Sequence, residues 1–131
     1  MGDVNALARK LLIKPGSRIG LVNAPAGYAE RLQPLPEGAE LVDVQPGLDV
    51  VQVFARDKEE LERVAPAFTS VRDGGLLWVC YPKGGRKAGT DLNRDLLWAE
   101  LTRVGLTGVT LVAVDDTWSA MRVRPVDQVG R

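Results

Sequence analysis

Two apolar runs joined by one amphipathic stretch constrain this chain more than anything else in it. Leu48 to Phe54 (LDVVQVF) is β-branched and apolar, and Leu76 to Tyr81 (LLWVCY) is a second such run. Between them Asp57, with Glu60 three residues on, opens a helix in the manner of a capping box, and Leu61, Val64, Ala65 and Phe68 recur at helical spacing. Runs that are apolar throughout, rather than alternating, belong to strands covered on both faces, as in a parallel sheet between layers of helices. Residues 48–82 are therefore expected to form strand, helix, strand, with both strands central and adjacent. Asp73-Gly74-Gly75 reads as the break before the second strand. Pro66 reads as a kink or restart in the last helical turn, because proline has no N–H for the carbonyl four residues back.

The remaining segments supply strands and helices to surround this unit. Asp3 is placed to cap a short helix with Val4, Leu7, Ala8, Leu11 and Leu12 on one stripe. Arg18 to Ala24 reads as a first strand, in which Gly20 lets something approach the backbone closely. A short helix follows, with Tyr28, Ala29 and Leu32 on its buried side, and then a second strand over Glu40 to Val44. Past Tyr81 the loop from Pro82 to Gly89 is rich in glycine and cations. Thr90 or Asp91 then caps a helix running to Val104, with Leu92, Leu96, Leu97, Leu101 and Val104 on its apolar side. Val109 to Val114 is another apolar run. Ser119 to Val126 alternates and follows a short connection, which suggests an antiparallel return. Residues 127–131 read as a frayed tail.

A chain of 131 residues is about one domain, and no linker or repeat divides residues 1–131. With 17 basic and 17 acidic residues it carries no net charge, which argues against a general nucleic-acid or anionic-membrane binder. No apolar run approaches the roughly 20 residues of a membrane span, and the first residues lack a signal-peptide core, so a cytoplasmic location is expected. The chain has no histidine, which removes the commonest neutral-pH base and the commonest zinc ligand; no metal is expected. Cys80, alone in an apolar strand, reads as a buried, inert thiol.

A β-α-β chain that ends in an antiparallel return resembles the Rossmann-like fold of the S-adenosylmethionine-dependent methyltransferases, in shortened form. LDVVQVF, the helix after it and VRDGGLLWVCYPK resemble that family's fourth strand, next helix and glycine turn into the fifth strand. The likeness covers residues 18–126, with one strand-helix unit missing before Leu48. It implies an open α/β sheet of six mostly parallel strands in the order 2-1-3-4-6-5, the last antiparallel, with helices on both faces. NAP-G-Y after the first strand, YPK after the fourth and D-TWS near the end are also similar to a small uncharacterised bacterial family with no known activity. In methyltransferases a G-x-G-x-G loop after the first strand passes under the cofactor, and an acidic residue at the end of the second holds its ribose. Here the loop is Asn23 to Tyr28 (NAPAGY), Gly27 is its one glycine, and Asp43 matches the acid. The departure in the loop leads to the expectation that no cofactor binds.

In open α/β sheets ligands bind outside the carboxyl ends of the strands, at the point where strand order reverses. That rule brings Asn23, Gly27, Tyr28, Asp43, Arg56, Tyr81, Lys83, Asp116 and Trp118 to one edge as ligand-binding residues. Asp57 and Asp91 read as helix caps. Arg56, Lys83, Arg86 and Lys87 read as a solvated rim or, failing that, an anion site at the start of the helix near Asp91. Asp115-Asp116 reads as a solvated turn, Trp78 as core, and Trp98 and Trp118 as contact surface. The expected function is a non-catalytic or regulatory module binding a small ligand or a protein partner. The alternative is a divergent methyltransferase in which Tyr28, Asp43, Tyr81 and Asp116 shape the pocket. An RNA-binding role through Arg86, Lys87, Arg122 and Arg124 is disfavoured, because no basic stripe accompanies them.

Overall fold

The computed structural model describes residues 5–84 and 89–128. Strands β1 (Arg18–Val22), β2 (Glu40–Leu41), β3 (Leu48–Phe54), β4 (Val71–Pro82), β5 (Leu106–Ala113) and β6 (Trp118–Pro125) form one sheet in the order β2-β1-β3-β4-β6-β5. β2, β1, β3 and β4 are parallel, and β6 lies antiparallel between β4 and β5. The expected central pair is adjacent and parallel, with Val50 opposite Leu76 and Phe54 opposite Cys80.

Helices α1 (Ala6–Lys10), α2 (Tyr28–Arg31), α3 (Lys58–Val64) and α4 (Arg94–Arg103) cover both faces. On one face Val51, Val53, Leu77 and Val79 pack with Leu61 and Val64 of α3 and Leu97 and Leu101 of α4. On the other, Ile19, Val50, Phe54, Trp78 and Cys80 pack with Ala8 of α1, the adjoining Leu11, Tyr28 of α2 and its neighbour Leu32. Trp78 is fully buried, as its strand position requires, and its Nε1 donates to the Leu11 carbonyl at 3.0 Å. That bond ties the end of α1 to the sheet.

The connection between β2 and β3 is a strap without a helix. β2 and β3 flank β1, so the chain must cross β1 between Leu41 and Leu48 without a helix. It does so at Gly20, where an added Cβ would stand 2.7 Å from Leu48 Cδ1 and 3.3 Å from Val44 Cγ2. This is the close approach expected of Gly20, and it cuts β2 to Glu40–Leu41 instead of the expected Glu40–Val44.

Other boundaries differ from expectation for local reasons. β1 stops at Val22 because Asn23 takes a left-handed conformation, φ 60°. Asp73-Gly74-Gly75 does not break β4 but forms a bulge inside it: β4 advances from Val71 to Leu76 while β3 advances only from Leu48 to Val50. Gly74 sits at φ 77°, and a Cβ on Gly75 would stand 2.9 Å from the Asp49 carbonyl. Pro66 does restart the helix, since α3 ends at Val64 and a 3₁₀ helix runs over Ala65–Ser70. α1 is capped by Asn5, and the expected Asp3 cap lies outside the described residues; of the tail expected to fray, Asp127 and Gln128 instead belong to a 3₁₀ helix over Val126–Gln128, and 129–131 lie outside the described residues. Leu12 is 44% exposed instead of on the buried stripe, because it too is left-handed at φ 62°. α4 is capped by Asn93, whose side chain accepts from Leu96 N at 2.8 Å, and not by Thr90 or Asp91. β5 begins three residues before the expected Val109, at Leu106, directly after the left-handed Gly105.

Candidate functional site at the carboxyl edge

The carboxyl ends of β1, β3 and β4 and the β5–β6 turn come together as the sheet order requires. Asp57, extended at ψ 179°, caps α3 by accepting from Glu60 N at 2.9 Å. Glu60 does not return the bond to its own cap as a capping box would. Its carboxylate turns to the edge, where Oε1 accepts from Arg56 N at 3.0 Å and from Asn23 Nδ2 at 2.9 Å, while Oε2 is 2.7 Å from the Arg56 guanidinium. Only 7% of Glu60 is exposed. The side-chain hydrogen bond from Arg56 holds its carboxyl below the usual range, against the opposing effect of burial. Asn23 Nδ2 also donates to the Phe54 carbonyl at 2.9 Å. One asparagine thus bridges the ends of β1 and β3, the point where strand order reverses.

Beside this bridge lies an open cleft of about 620 Å³, lined by Arg56, Asp57, Glu60, Pro82, Lys83, Gly89, Thr90, Asp116, Thr117 and Trp118. Lys83 N donates to the Thr117 carbonyl at 2.8 Å, which joins the end of β4 to the β5–β6 turn. Asp115 is spent within that turn. Its Oδ1 accepts from Thr117 N and Trp118 N, and its Oδ2 pairs with Arg31 at 2.8 Å. Burial would raise its carboxyl, but these donors outweigh it and hold it low. Asp116, next along, lines the cleft. Neither it nor Lys83 has an ion pair among the described residues.

Sequence reasoning brings Arg56, Lys83, Asp116 and Trp118 to this cleft, and Asn23 beside it. Trp118, however, is 9% exposed and packs edge-on against Phe54 at 5.1 Å, so it is a wall and not the expected contact surface. Trp98, on α4, is 44% exposed as its polar neighbours suggested. Tyr28 is 1% exposed and points inward, where Gln52 Nε2 donates to its hydroxyl at 2.6 Å. Burial and the neighbouring Cys80 push that hydroxyl's pKa well above the tyrosine range. Tyr81, buried on the opposite face of the sheet, lines a separate cleft of about 420 Å³ with Pro82, Lys83 and Arg94. Asp43 is exposed beyond the end of β2, and Gly27, left-handed at φ 80°, is exposed before α2. Arg86 and Lys87 lie outside the described residues.

Cys80 is fully buried, and its thiol is pushed up to about 12 by that burial. Gln52 Nε2 approaches its Sγ at 3.3 Å. One residue escaped sequence reasoning, and one cap was assigned to the wrong helix. Gln52, buried in the middle of β3, was marked only by being polar in an apolar run. Asp91 does cap a helix, but the other one: its Oδ1 accepts from Lys58 N of α3 at 2.9 Å. No helix among the described residues is long and apolar enough to cross a membrane.

Comparison with solved structures shows the same architecture. DhpI in complex with SAH superposes with a TM-score of 0.58 at 13% identity, over 92% of this chain and 82% of its own. The ribosomal protein L11 methylase of Lactobacillus delbrueckii subsp. bulgaricus gives 0.56 at 10% identity, over 91% and 74%. The riboflavin-derivative dimethyltransferase RosA of Streptomyces davawensis gives 0.51 at 13% identity, over 83% of this chain and 49% of its own. The chain thus has the Rossmann-like fold of S-adenosylmethionine-dependent methyltransferases. No protein-family model and no curated protein sequence matches it.

S-adenosylmethionine, which this fold implies, meets a poor set of residues at β1. Gly27 has open space around it and Asp43 is exposed, as a cofactor would need. Against these, Asn23 occupies the β1–β3 junction with two hydrogen bonds, and Pro25 offers no amide donor. The fold fits the group and the loop does not.

Proposed function

We propose that this chain is a non-catalytic or regulatory binding module of methyltransferase fold, and that its ligand is a small polar molecule carrying charges of both signs. The pairing of charges in the cleft carries this reading. Asp57 caps α3 and Arg56 and Glu60 satisfy each other, which leaves Lys83 and Asp116 as one cation and one carboxylate without an ion pair among the described residues. A ligand with its own carboxylate and ammonium complements both. The absence of histidine and the sealing of Cys80 support a binding role over a catalytic one. Amide chemical-shift titration with a pool of free amino acids tests it. Shifts clustered at Lys83, Thr90 and Thr117, weakened about tenfold by Lys83→Ala or Asp116→Ala, are expected. Shifts scattered over the surface, or indifferent to both substitutions, refute it.

The second reading is a divergent methyltransferase, with Asp43 at the ribose and the methyl acceptor in the cleft. Its support is the fold shared with a methylase and a dimethyltransferase, and the comparisons favour it over a non-catalytic module. A fold hosts many functions, whereas the loop is where a cofactor would be held, and there the residues favour the first reading. Titration with S-adenosylmethionine separates the two.

A further inference from the structure

We infer that the opposite, amino edge of the sheet holds a second binding site, for a small phosphate monoester bound as its dianion. A cavity of about 460 Å³ lies there, on the face of the sheet covered by α1. Its floor is apolar, made by Val50 of β3 and Leu76 of β4, and Leu12, just after α1, adds an exposed apolar side chain to the lining. Lys14 follows on the same segment, and Arg122 comes from β6, directly opposite Trp78. Side chains opposite one another share a face and alternate along each strand, so Leu76, Trp78 and Arg122 stand on one side of the sheet. The apolar floor and the Arg122 cation therefore belong to a single cavity.

The charges lining that cavity do not balance. Asp49 is its one carboxylate among the described residues, and it is already engaged, accepting from Arg18 N at 2.9 Å and from Arg72 Nε at 2.7 Å. Those bonds hold its carboxyl below the usual range, so at neutral pH it is ionised and neutralises Arg72. Lys14 and Arg122 remain, with no ion pair among the described residues. Arg122 Nε is moreover buried with no hydrogen-bond partner, a cost that an anion beside the guanidinium offsets electrostatically. Two unpaired cations on one wall match a dianion. A phosphate monoester loses its second proton near about pH 6 and carries that charge at neutral pH, whereas a carboxylate brings one charge only. The cavity is of small-molecule size, and its floor of Val50 and Leu76 suits the organic half of an ester, which inorganic phosphate lacks.

The test is calorimetric titration of the intact chain at pH 8 with phenyl phosphate, its monoanionic counterpart phenyl sulfate, and inorganic phosphate. Phenyl phosphate is expected to bind about tenfold more tightly than phenyl sulfate, with inorganic phosphate also weaker than the ester. Arg122→Met should lower phenyl phosphate affinity about tenfold, and Lys14→Met, at an exposed position that leaves folding intact, should do the same. Lys83→Ala, at the other end of the strands, should leave it unchanged. Equal binding of phenyl phosphate and phenyl sulfate, or no saturable binding of phenyl phosphate, overturns the inference. So does a Lys14→Met variant that binds as well as the parent, or affinity lost in Lys83→Ala, which would place the ester at the carboxyl edge instead.

Discussion

Replacing Asn23 separates the two physical jobs its side chain and backbone perform. The side chain donates to the Phe54 carbonyl and to the Glu60 carboxylate, each at 2.9 Å. A hydrogen bond to a neutral acceptor contributes about 1 kcal/mol and one to a charged acceptor about 1.5–3 kcal/mol. Glu60 keeps its bonds from Arg56, so it is not orphaned, and the lower end of that range applies. Both Asn23→Gly and Asn23→Ala should therefore lose about 2 kcal/mol from the missing bonds. The backbone adds a second effect. Asn23 sits at φ 60°, a left-handed conformation that costs an L-residue with a Cβ about 1–2 kcal/mol and glycine almost nothing. Asn23→Ala should thus be less stable than Asn23→Gly by about 1 kcal/mol, the reverse of the order in a helix or strand. Urea unfolding followed by tryptophan fluorescence measures both, with equal slopes confirming that the unfolding reaction is unchanged. An Asn23→Ala variant as stable as the parent would refute the bridge between β1 and β3, and one more stable than Asn23→Gly would refute the left-handed backbone at this position.

Other expectations follow from burial and charge. Trp118→Ala should destabilise by about 3–5 kcal/mol by emptying the space against Phe54, whereas Trp98→Ala should stay within about 0.5 kcal/mol, as thermal denaturation of the two variants will show. Cys80 should resist alkylation by iodoacetamide at pH 8 in the folded protein and react at once in denaturant, because its thiol is buried and titrates near about 12. Rapid labelling of the folded chain would show that β4 opens there. Glu60 has its folded pKa held below the ordinary 4.5, so it stabilises the fold above that pH, and the contribution is lost as pH falls through the folded value. Glu60→Gln should flatten the loss of stability below about pH 4.5, and an unchanged slope in acid unfolding would contradict the Arg56–Glu60–Asn23 network.

How much of this could be read from the chain depended on whether the governing contacts were local. Leu48–Phe54 is legible to the residue because its apolar run is bounded by Pro46-Gly47 on one side and the Asp57 cap on the other. The order of the strands came from the resemblance to methyltransferases, while the runs themselves indicated only that Leu48–Phe54 and Leu76–Tyr81 are neighbours. The bulge at Gly74-Gly75 was not legible, since a glycine pair that usually marks a turn here remains paired into β4 through contacts with Asp49 of another strand. Trp118 has polar neighbours in sequence, yet strand alternation aims it at Phe54. Tyr28 reads as the buried side of its helix, which holds, but its hydroxyl is taken by Gln52 of β3 and so is not offered to the edge, and that pairing depends on the fold bringing α2 onto β3. Glu60 was marked as a capping residue by its spacing from Asp57. Its turn toward Arg56 and Asn23 depends on β1 and β3 being neighbours, which only the fold supplies.

The central claim is that the carboxyl edge keeps a ligand cleft while the β1 loop no longer admits the cofactor of this fold. Isothermal titration of the full chain with S-adenosylmethionine and, separately, S-adenosylhomocysteine tests it most directly. An Asn23 side chain already spent on Phe54 and Glu60 and the missing amide of Pro25, at about 1.4 kcal/mol each, weaken a micromolar site about a hundredfold, so no saturable heat is expected at low micromolar ligand. Asn23→Gly, which removes the bridge, should bind more tightly than the parent. Saturable binding of either compound by the parent at low micromolar concentration, weakened by Asp43→Ala, would contradict the account and establish the methyltransferase reading in its place.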